Sequence, residues 1–176
     1  MSNSAKRRIF TMLDANGDGV VSHGEYLARV DRAAAAVGRD PHDPLVAVAR
    51  AAHEEVFRQM DGDGDGRVTF EEYRSWAGHE AFEESCRPAL GSLFDLADAD
   101  GDGHLTRQEF TRLRAATGNT QDGAAAAFDA LDAGGRGVVD RAAYLAAIHD
   151  YLTTGDSPMA ESYPAAPPAV RAAAAG

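Results

Sequence analysis

Apolar and polar positions repeat in the same order four times along this chain of 176 residues. In each copy a phenylalanine, flanked by apolar residues at helical spacing, lies four residues before an aspartate that opens a polar segment. These phenylalanines are Phe10, Phe57, Phe94 and Phe128. Twelve residues after each aspartate an aromatic residue begins a second apolar stripe, at Tyr26, Tyr73, Phe110 and Tyr144. The pattern predicts four units, each made of a helix, a twelve-residue loop and a second helix.

The loops at 14–25, 61–72 and 98–109, named here loops one to three, share a spacing of oxygen-bearing side chains. These side chains stand at positions one, three, five, nine and twelve of each loop. A hard cation such as Ca²⁺ binds six to eight oxygens at about 2.3–2.6 Å, and a chain wrapped around it presents a side chain at alternate positions. Glycine at position six permits the positive φ that turns the next carbonyl inward. We therefore predict one calcium site in each of these loops.

Each predicted site uses five side chains and the backbone carbonyl of position seven. In loop one the ligands are Asp14, Asn16, Asp18, the Val20 carbonyl, Ser22 and Glu25. In loop two they are Asp61, Asp63, Asp65, the Arg67 carbonyl, Thr69 and Glu72. In loop three they are Asp98, Asp100, Asp102, the His104 carbonyl, Thr106 and Glu109. The hydroxyl at position nine is expected to reach the ion through a water, and the glutamate at position twelve with both oxygens.

The fourth loop, 132–143, keeps the repeat but loses its ligands. Gly134 stands at position three, Arg136 at position five and Ala143 at position twelve, so too few oxygens remain for a cation. We predict that loop four binds no metal, and that the Arg136 guanidinium pairs with Asp132 or Asp140 in its place. Its remaining apolar positions indicate a structural role as the partner of unit three.

Charge is concentrated in the three complete loops. The chain has 17 Lys and Arg against 28 Asp and Glu, a net charge of -11. Loops one, two and three carry -3, -4 and -3, which together make -10 of that total. Such charge argues against nucleic acid or an anionic membrane as partner, and it would repel itself unless cations were bound. Asp-Gly pairs also form simple polar turns, but three loops with one ligand spacing disfavour that alternative. We expect three Ca²⁺ ions, with Mg²⁺ as a competitor.

Each complete loop resembles the EF-hand calcium loop, and the whole chain resembles one branch of that superfamily. Four hands, three of them complete, and a long insertion between the first two resemble the sarcoplasmic calcium-binding proteins and their bacterial relative calerythrin. The resemblance implies an all-α fold with hands 1+2 and 3+4 paired into two compact lobes through short antiparallel contacts between loops. It also implies an intracellular calcium buffer or transporter.

Breaks in the pattern suggest three segments. We expect a first pair of hands at 1–80, a second pair at 81–154 and a Pro/Ala-rich tail at 155–176. Gly78 and Pro88 are predicted to interrupt the connection between the pairs, so that no single helix joins them. The tail has the composition of a disordered or loosely docked segment, with Tyr163 and Val170 as candidates to enter a groove between the lobes.

Other classes of function find little support in the sequence. The six histidines are dispersed, with no partner at a recognisable catalytic spacing, and Cys86 is the only cysteine, so we expect neither an enzyme nor a thiolate metal site. No membrane span or secretory signal is recognised, which favours a cytoplasmic monomer. A calcium sensor that regulates a protein target remains the alternative. Only Met12 and Met60 are methionines within the hands, and a Met-poor interior favours the buffer.

Overall fold

The computed structural model describes residues 3–160 and Tyr163. Within that part of the chain there are nine α-helices, one π-helical turn and four short strands. The helices are α1 (Asn3–Leu13), α2 (His23–Ala36), α3 (Pro44–Met60), α4 (Phe70–Trp76), α5 (His79–Ala81), α6 (Arg87–Ala97), α7 (Arg107–Ala116), α8 (Gln121–Leu131) and α9 (Arg141–Thr154). The strands are β1 (Val20–Ser22), β2 (Arg67–Thr69), β3 (His104–Thr106) and β4 (Val138–Asp140). The predicted all-α class is confirmed.

Short antiparallel strands join the units in pairs. β1 pairs with β2, with Val21 opposite Val68, and β3 pairs with β4, with Leu105 opposite Val139. All four of these residues stand at position eight of their loops and are almost completely buried. The predicted pairing of unit one with two and of unit three with four is confirmed. Loop four is therefore held to loop three although it lacks the ligand pattern.

The connection between units two and three breaks at one place only. Helix α4 ends at Trp76, and Gly78 precedes α5, so the expected interruption at Gly78 is found. The interruption expected at Pro88 is not: α5, the π-helical turn Phe82–Cys86 and α6 follow without a gap. In the π turn the Arg87 amide donates to the Phe82 carbonyl, five residues back. Pro88, the second residue of α6, cannot donate a helical N–H bond, and the helix accommodates this loss directly after the wider π turn.

One apolar core runs through the four units. α3 packs against α6, and α2 packs against both α6 and α7, so helices of the first two units bury the helices of the third. Phe10 packs edge-on against Phe70, and Phe110 against Phe128, so aromatic pairs form within each half as well. None of the described helices is long and apolar enough to cross a membrane.

The start of the C-terminal tail closes this core. Tyr163 is only 5% exposed and stacks on Tyr151 of α9, with ring centroids 4.4 Å apart and planes 8° from parallel. Arg8 of α1 donates from Nη2 to the Tyr163 carbonyl at 2.6 Å. The docking for which Tyr163 was a candidate is found: its ring contacts α9 and its carbonyl contacts α1. Val170, the other candidate, lies outside the described residues.

Candidate metal centres

Glycines give loops one to three their shape. At position six Gly19, Gly66 and Gly103 have φ of 92°, 81° and 80°, in the left-handed region that side chains disfavour. Gly137 of loop four has φ of 77° at the same position. All four loops therefore turn in the same way, whether or not they carry ligands. The predicted positive φ at position six is confirmed.

The aspartate at position one is the anchor of each loop. Asp14 accepts hydrogen bonds from the backbone N–H groups of Gly17, Asp18 and Gly19, at 2.8–3.2 Å. Asp61 and Asp98 accept the equivalent three bonds in loops two and three. Inward-pointing amides hold each carboxylate at the centre of its loop, which is the position of a ligand. These bonds also satisfy backbone donors that a tight loop leaves unpaired.

Carboxylates at positions one, three and five converge in loops two and three. In loop two an oxygen of each of Asp61, Asp63 and Asp65 lies within 4.8 Å of the others. The three aspartates of loop three, at 98, 100 and 102, converge to the same degree. Three negative charges at such separations repel one another unless a cation lies between them. The geometry therefore suits a multivalent cation bound by oxygen.

Loop one has an amide where the other two loops have a carboxylate. The Asn16 Oδ1 accepts the amide N–H of Asp18 at 2.8 Å, as the aspartates at position three do in loops two and three. The Asn16 Nδ2 donates to the Asp18 carboxylate at 3.1 Å. Loop one thus offers the same oxygens with one negative charge fewer.

Positions nine and twelve form the same pair in every complete loop. Ser22, Thr69 and Thr106 precede their helices, and each hydroxyl donates at 2.7 Å to the glutamate three residues later. The glutamate also accepts the backbone N–H of the position-nine residue, which completes a capping box at the start of α2, α4 and α7. The helix start therefore positions the glutamate beside the loop.

The same hydrogen bonds keep these glutamates ionised. The backbone and hydroxyl of Thr69 hold the pKa of Glu72 below its ordinary value. Partial burial raises the pKa of Glu25, but hydrogen bonds from Ser22 and Asn16 outweigh burial, and the net pKa is lowered. Glu109 has a lowered pKa for the same balance of causes. The carboxylate form is the one that binds a cation.

Position seven contributes backbone only. Val20, Arg67 and His104 begin the short strands, and each donates its amide N–H to the aspartate at position five, at 3.0, 2.8 and 2.8 Å. The His104 imidazole bends back to the Asp102 carbonyl, 3.0 Å from Nδ1, and stays partly exposed. The eighteen predicted ligand positions therefore fall in three separate loops, and each loop gathers its own six residues.

Loop four has the backbone of a metal loop without its donors. Asp132 accepts the amides of Arg136 and Gly137, both at 2.8 Å, as the anchor aspartates do in the other loops. The Arg136 guanidinium lies 3.4 Å from Asp140, so of the two predicted partners it pairs with Asp140. Asp140 in turn caps α9 by accepting the Ala143 amide at 2.8 Å. A guanidinium thus stands at position five, where the other loops present a carboxylate, and it pairs with the carboxylate at position nine.

Comparisons with known proteins agree with this geometry. Residues 3–78 match the family model of an EF-hand domain pair, and residues 90–113 match that of an EF hand. A solved structure of a calcium-binding protein from Streptomyces coelicolor is 30% identical, with a TM-score of 0.73, and the match covers 85% of this chain and 98% of that one. This chain belongs to the EF-hand family of calcium-binding proteins. The predicted resemblance to a bacterial EF-hand protein of the sarcoplasmic type is consistent with these matches.

Other solved structures share the fold of this EF-hand protein at lower identity. The n-aequorin structure is 20% identical with a TM-score of 0.73, over 94% of this chain and 92% of that one. Magnesium-loaded apo-berovin, from a ctenophore, is 21% identical with a TM-score of 0.66, over 86% and 88% of the two chains. At such identities the likeness concerns the fold alone. No curated protein sequence matches this chain.

Two residues outside the hands' loops differ from their sequence-based interpretation. His79 and His149 were expected to be dispersed, with no partner at a recognisable catalytic spacing, yet Nδ1 of His79 lies 3.1 Å from Nε2 of His149. Nothing in the sequence indicates this contact, because 70 residues separate the two histidines and only the packing of α5 on α9 joins them. Cys86 packs against the core, and burial raises the pKa of its thiol to about 12.

Proposed function

We propose that this EF-hand protein binds three calcium ions, one in each of loops one to three, and acts as a calcium buffer in the cytoplasm. The observation that carries the proposal is the repeated donor set: one anchored aspartate, two further oxygens that face it, and a capped, ionised glutamate. The ligands proposed are the six positions of each loop named above. Loop four is proposed to hold no ion, since Arg136 lies beside Asp140, one of its two remaining carboxylates.

Magnesium is proposed as the competing ion. The glutamates at position twelve have the reach to bind with both oxygens, which suits Ca²⁺ and its larger shell over Mg²⁺. In berovin all three calcium-binding loops bind magnesium ions. By analogy, Mg²⁺ at cellular concentration is expected to compete for the loops here without changing their number.

The surface favours a buffer over a sensor. Among the described residues, only Leu45 and Val48 are large hydrophobic side chains with substantial exposure, at 37% and 57%. Met60 is buried and Met12 partly buried in the core. A sensor presents an open apolar groove, rich in methionine, to a target helix. The apolar side chains of the described residues pack mostly into one core, which supports a buffer, and we propose a monomer.

A calcium sensor is the second candidate. The Streptomyces coelicolor calcium-binding protein, which is 30% identical, is described as carrying out prokaryotic calcium-mediated regulation, and this supports a regulatory role. In that case the first two units would move apart from the third when calcium leaves or enters, and expose part of the shared core to a protein target.

A calorimetric calcium titration of the metal-free protein tests the number of sites. The wild type is expected to bind three ions. Glu25→Gln, Glu72→Gln and Glu109→Gln should each leave two tight sites, because each removes one charged, two-oxygen ligand. Glu55→Gln, which removes an exposed acid from α3, serves as the control and should keep three. A fourth ion, or loss of no ion in any loop variant, would contradict the proposed sites.

Magnesium and an apolar dye separate the two roles. For a buffer, millimolar Mg²⁺ weakens all three sites, and calcium does not increase the binding of a fluorescent apolar dye. For a sensor, the sites are insensitive to Mg²⁺ and dye binding rises when calcium is added, because apolar surface becomes exposed. The effect of Mg²⁺ on calcium binding and the effect of calcium on dye binding together distinguish a buffer from a sensor.

A further inference from the structure

A cluster of two histidines and one glutamate lies apart from the calcium loops. Nδ1 of His79 is 3.1 Å from Nε2 of His149, and Oε1 of Glu83 is 4.0 Å from the same Nε2. One donor atom from each of the three residues lies within 4.8 Å of the others. The cluster combines two imidazole nitrogens with a carboxylate oxygen. Transition-metal dications bind this combination well, whereas Ca²⁺ prefers ligand sets made of oxygen alone.

The elements that carry these residues hold them in place. His79 begins α5 and Glu83 lies one turn later in the π turn, so both side chains come from the segment that follows the break at Gly78. His149 comes from α9, the exit helix of hand four. The His149 ring packs edge-on against the fully buried Phe82, with centroids 5.0 Å apart. Two separate parts of the chain thus meet at these donors.

The separations match those of a tetrahedral metal centre. In such a centre Zn²⁺ lies about 2.0–2.1 Å from each nitrogen, which places two nitrogen ligands about 3.3 Å apart. The observed 3.1 Å between the histidine nitrogens is close to that value, and the 4.0 Å to Glu83 closes with a small side-chain movement. An N–H···N hydrogen bond between two neutral imidazoles also gives about 3 Å, but it makes no use of the third donor.

Neighbouring groups orient the ligands from outside. Arg87 donates to both oxygens of Glu83, at 2.8 and 2.7 Å, and so fixes the plane of the carboxylate. The Asp150 carboxylate lies 3.4 Å from Nδ1 of His149, on the far side of the ring from the proposed metal. A carboxylate behind a histidine ligand fixes the tautomer and the orientation of the ring. His79 is exposed, so an ion can enter from solvent.

We propose that His79, Glu83 and His149 bind a transition-metal dication such as Zn²⁺, in a site independent of the calcium loops. Three protein ligands leave the fourth position to water. The ion would tie the segment after Gly78 to the exit helix of hand four, and so stabilise the one break between the second and third hands.

Cobalt(II) added to the calcium-saturated protein tests the site, because saturating Ca²⁺ keeps Co²⁺ and Zn²⁺ out of the loops. The wild type is expected to bind one equivalent of Co²⁺ with the visible absorption of a tetrahedral centre, and Zn²⁺ should displace it. His79→Gln should weaken binding at least about tenfold, since loss of even an outer partner of a metal ligand costs about 10–100-fold. His149→Gln should have the same effect.

Matched controls separate a failed site from a failed fold. His42→Gln removes an exposed histidine far along the chain, between α2 and α3, and should bind Co²⁺ as the wild type does. Circular dichroism and the calcium stoichiometry of each variant report the fold and the loops independently. Absence of Co²⁺ binding to the folded wild type, or equal binding by the wild type and His79→Gln, would overturn the proposal and leave the histidines as a hydrogen-bonded pair.

Discussion

Arg39 donates from Nη2 to the backbone carbonyl of Asp98 at 3.0 Å. Its Nε donates to the Leu96 carbonyl at 2.7 Å. Arg39 lies between α2 and α3, whereas Asp98 is the anchor residue of loop three, at the end of α6. A side chain of the first half therefore caps the helix that delivers the third loop, where the unpaired carbonyls of a helix end attract a cation.

This contact gives a first prediction. Arg39→Ala should lower the free energy of unfolding by about 1.5–3 kcal/mol, the range for hydrogen bonds to charged groups, because the α6 carbonyls lose their partner. Arg58→Ala is the control: Arg58 is exposed and pairs only within its own helix, with Glu55, so its loss should cost under about 1 kcal/mol. Urea unfolding in saturating calcium measures both, and equal effects would show that Arg39 does not join the two halves.

Two glycines with different backbone conformations give a second prediction. Gly66 has φ of +81°, so Gly66→Ala should destabilise the protein by about 1–2 kcal/mol through backbone strain alone. Gly24 lies in the first turn of α2 with an ordinary φ and open space around it, so Gly24→Ala should stabilise by roughly 0.5 kcal/mol. Unfolding is measured in the presence of a chelator, which removes any effect on metal affinity. The change in the free energy of unfolding should have opposite signs for Gly66→Ala and Gly24→Ala.

His53 predicts the pH dependence of stability. The side chain is fully buried in α3, its Nε2 has no partner among the described residues, and its Nδ1 lies 2.8 Å from the Ala49 carbonyl. Burial, with the charge of Arg29 nearby, lowers its pKa to about 3. The ring of Tyr26 is the aromatic neighbour, 5.7 Å away. The folded protein therefore keeps this histidine neutral where the unfolded chain protonates it.

The sign of the effect follows from the two pKa values. Between the unfolded value of about 6.5 and the folded value of about 3, the unfolded state binds more protons, so stability falls as the pH falls. From pH 7.5 to 5.0 the contribution of His53 is a loss of about 2 kcal/mol. His53→Gln should remove that part of the slope whatever it does to stability at pH 7.5. Parallel stability profiles for the wild type and His53→Gln would contradict this account.

Tyr163 predicts that the start of the tail stabilises the fold. Its ring stacks on Tyr151 and lies 5.1 Å from the Arg114 guanidinium. Tyr163→Ala should cost roughly 3 kcal/mol, near the low end for loss of a buried aromatic side chain. Pro158→Ala, at an exposed position of the same segment, should change stability by less than about 0.5 kcal/mol. Thermal unfolding of both variants checks whether the Tyr163 ring itself stabilises the fold, or whether any change in this segment lowers stability equally.

Much of the fold and of the candidate site follows from local sequence. The spacing of Phe10, Asp14, Gly19 and Tyr26 specifies a helix, a loop and a helix, because each of those residues acts within a few positions of itself. Position six needs a glycine, and the position-nine hydroxyl pairs with the glutamate three residues on. Such contacts are short-range, and they reappear in the structure for every complete loop.

Contacts between residues distant in the chain could not be predicted from the sequence. The sequence suggested two breaks, at Gly78 and Pro88, but only packing shows that α6 continues from a π turn while the chain bends at Gly78 alone. The contact of His79 with His149 depends on how α5 meets α9, and the burial of Tyr163 depends on a groove that two halves create together. Neither the histidine contact nor the burial of Tyr163 produces a periodic pattern in the sequence.

The sequence by itself determined what each hand is: which loops carry oxygen donors, which loop does not, and where the helices begin. It could do so because a metal loop is a local structure whose ligands, turns and caps lie within twelve residues. The tertiary structure decided how the hands meet. The contacts that show this are the hydrogen bonds of Arg39 to the end of α6, the stacking of Tyr163 on Tyr151 and the close approach of His79 to His149. Those contacts depend on the packing of helices distant in sequence, which propensity and spacing do not encode.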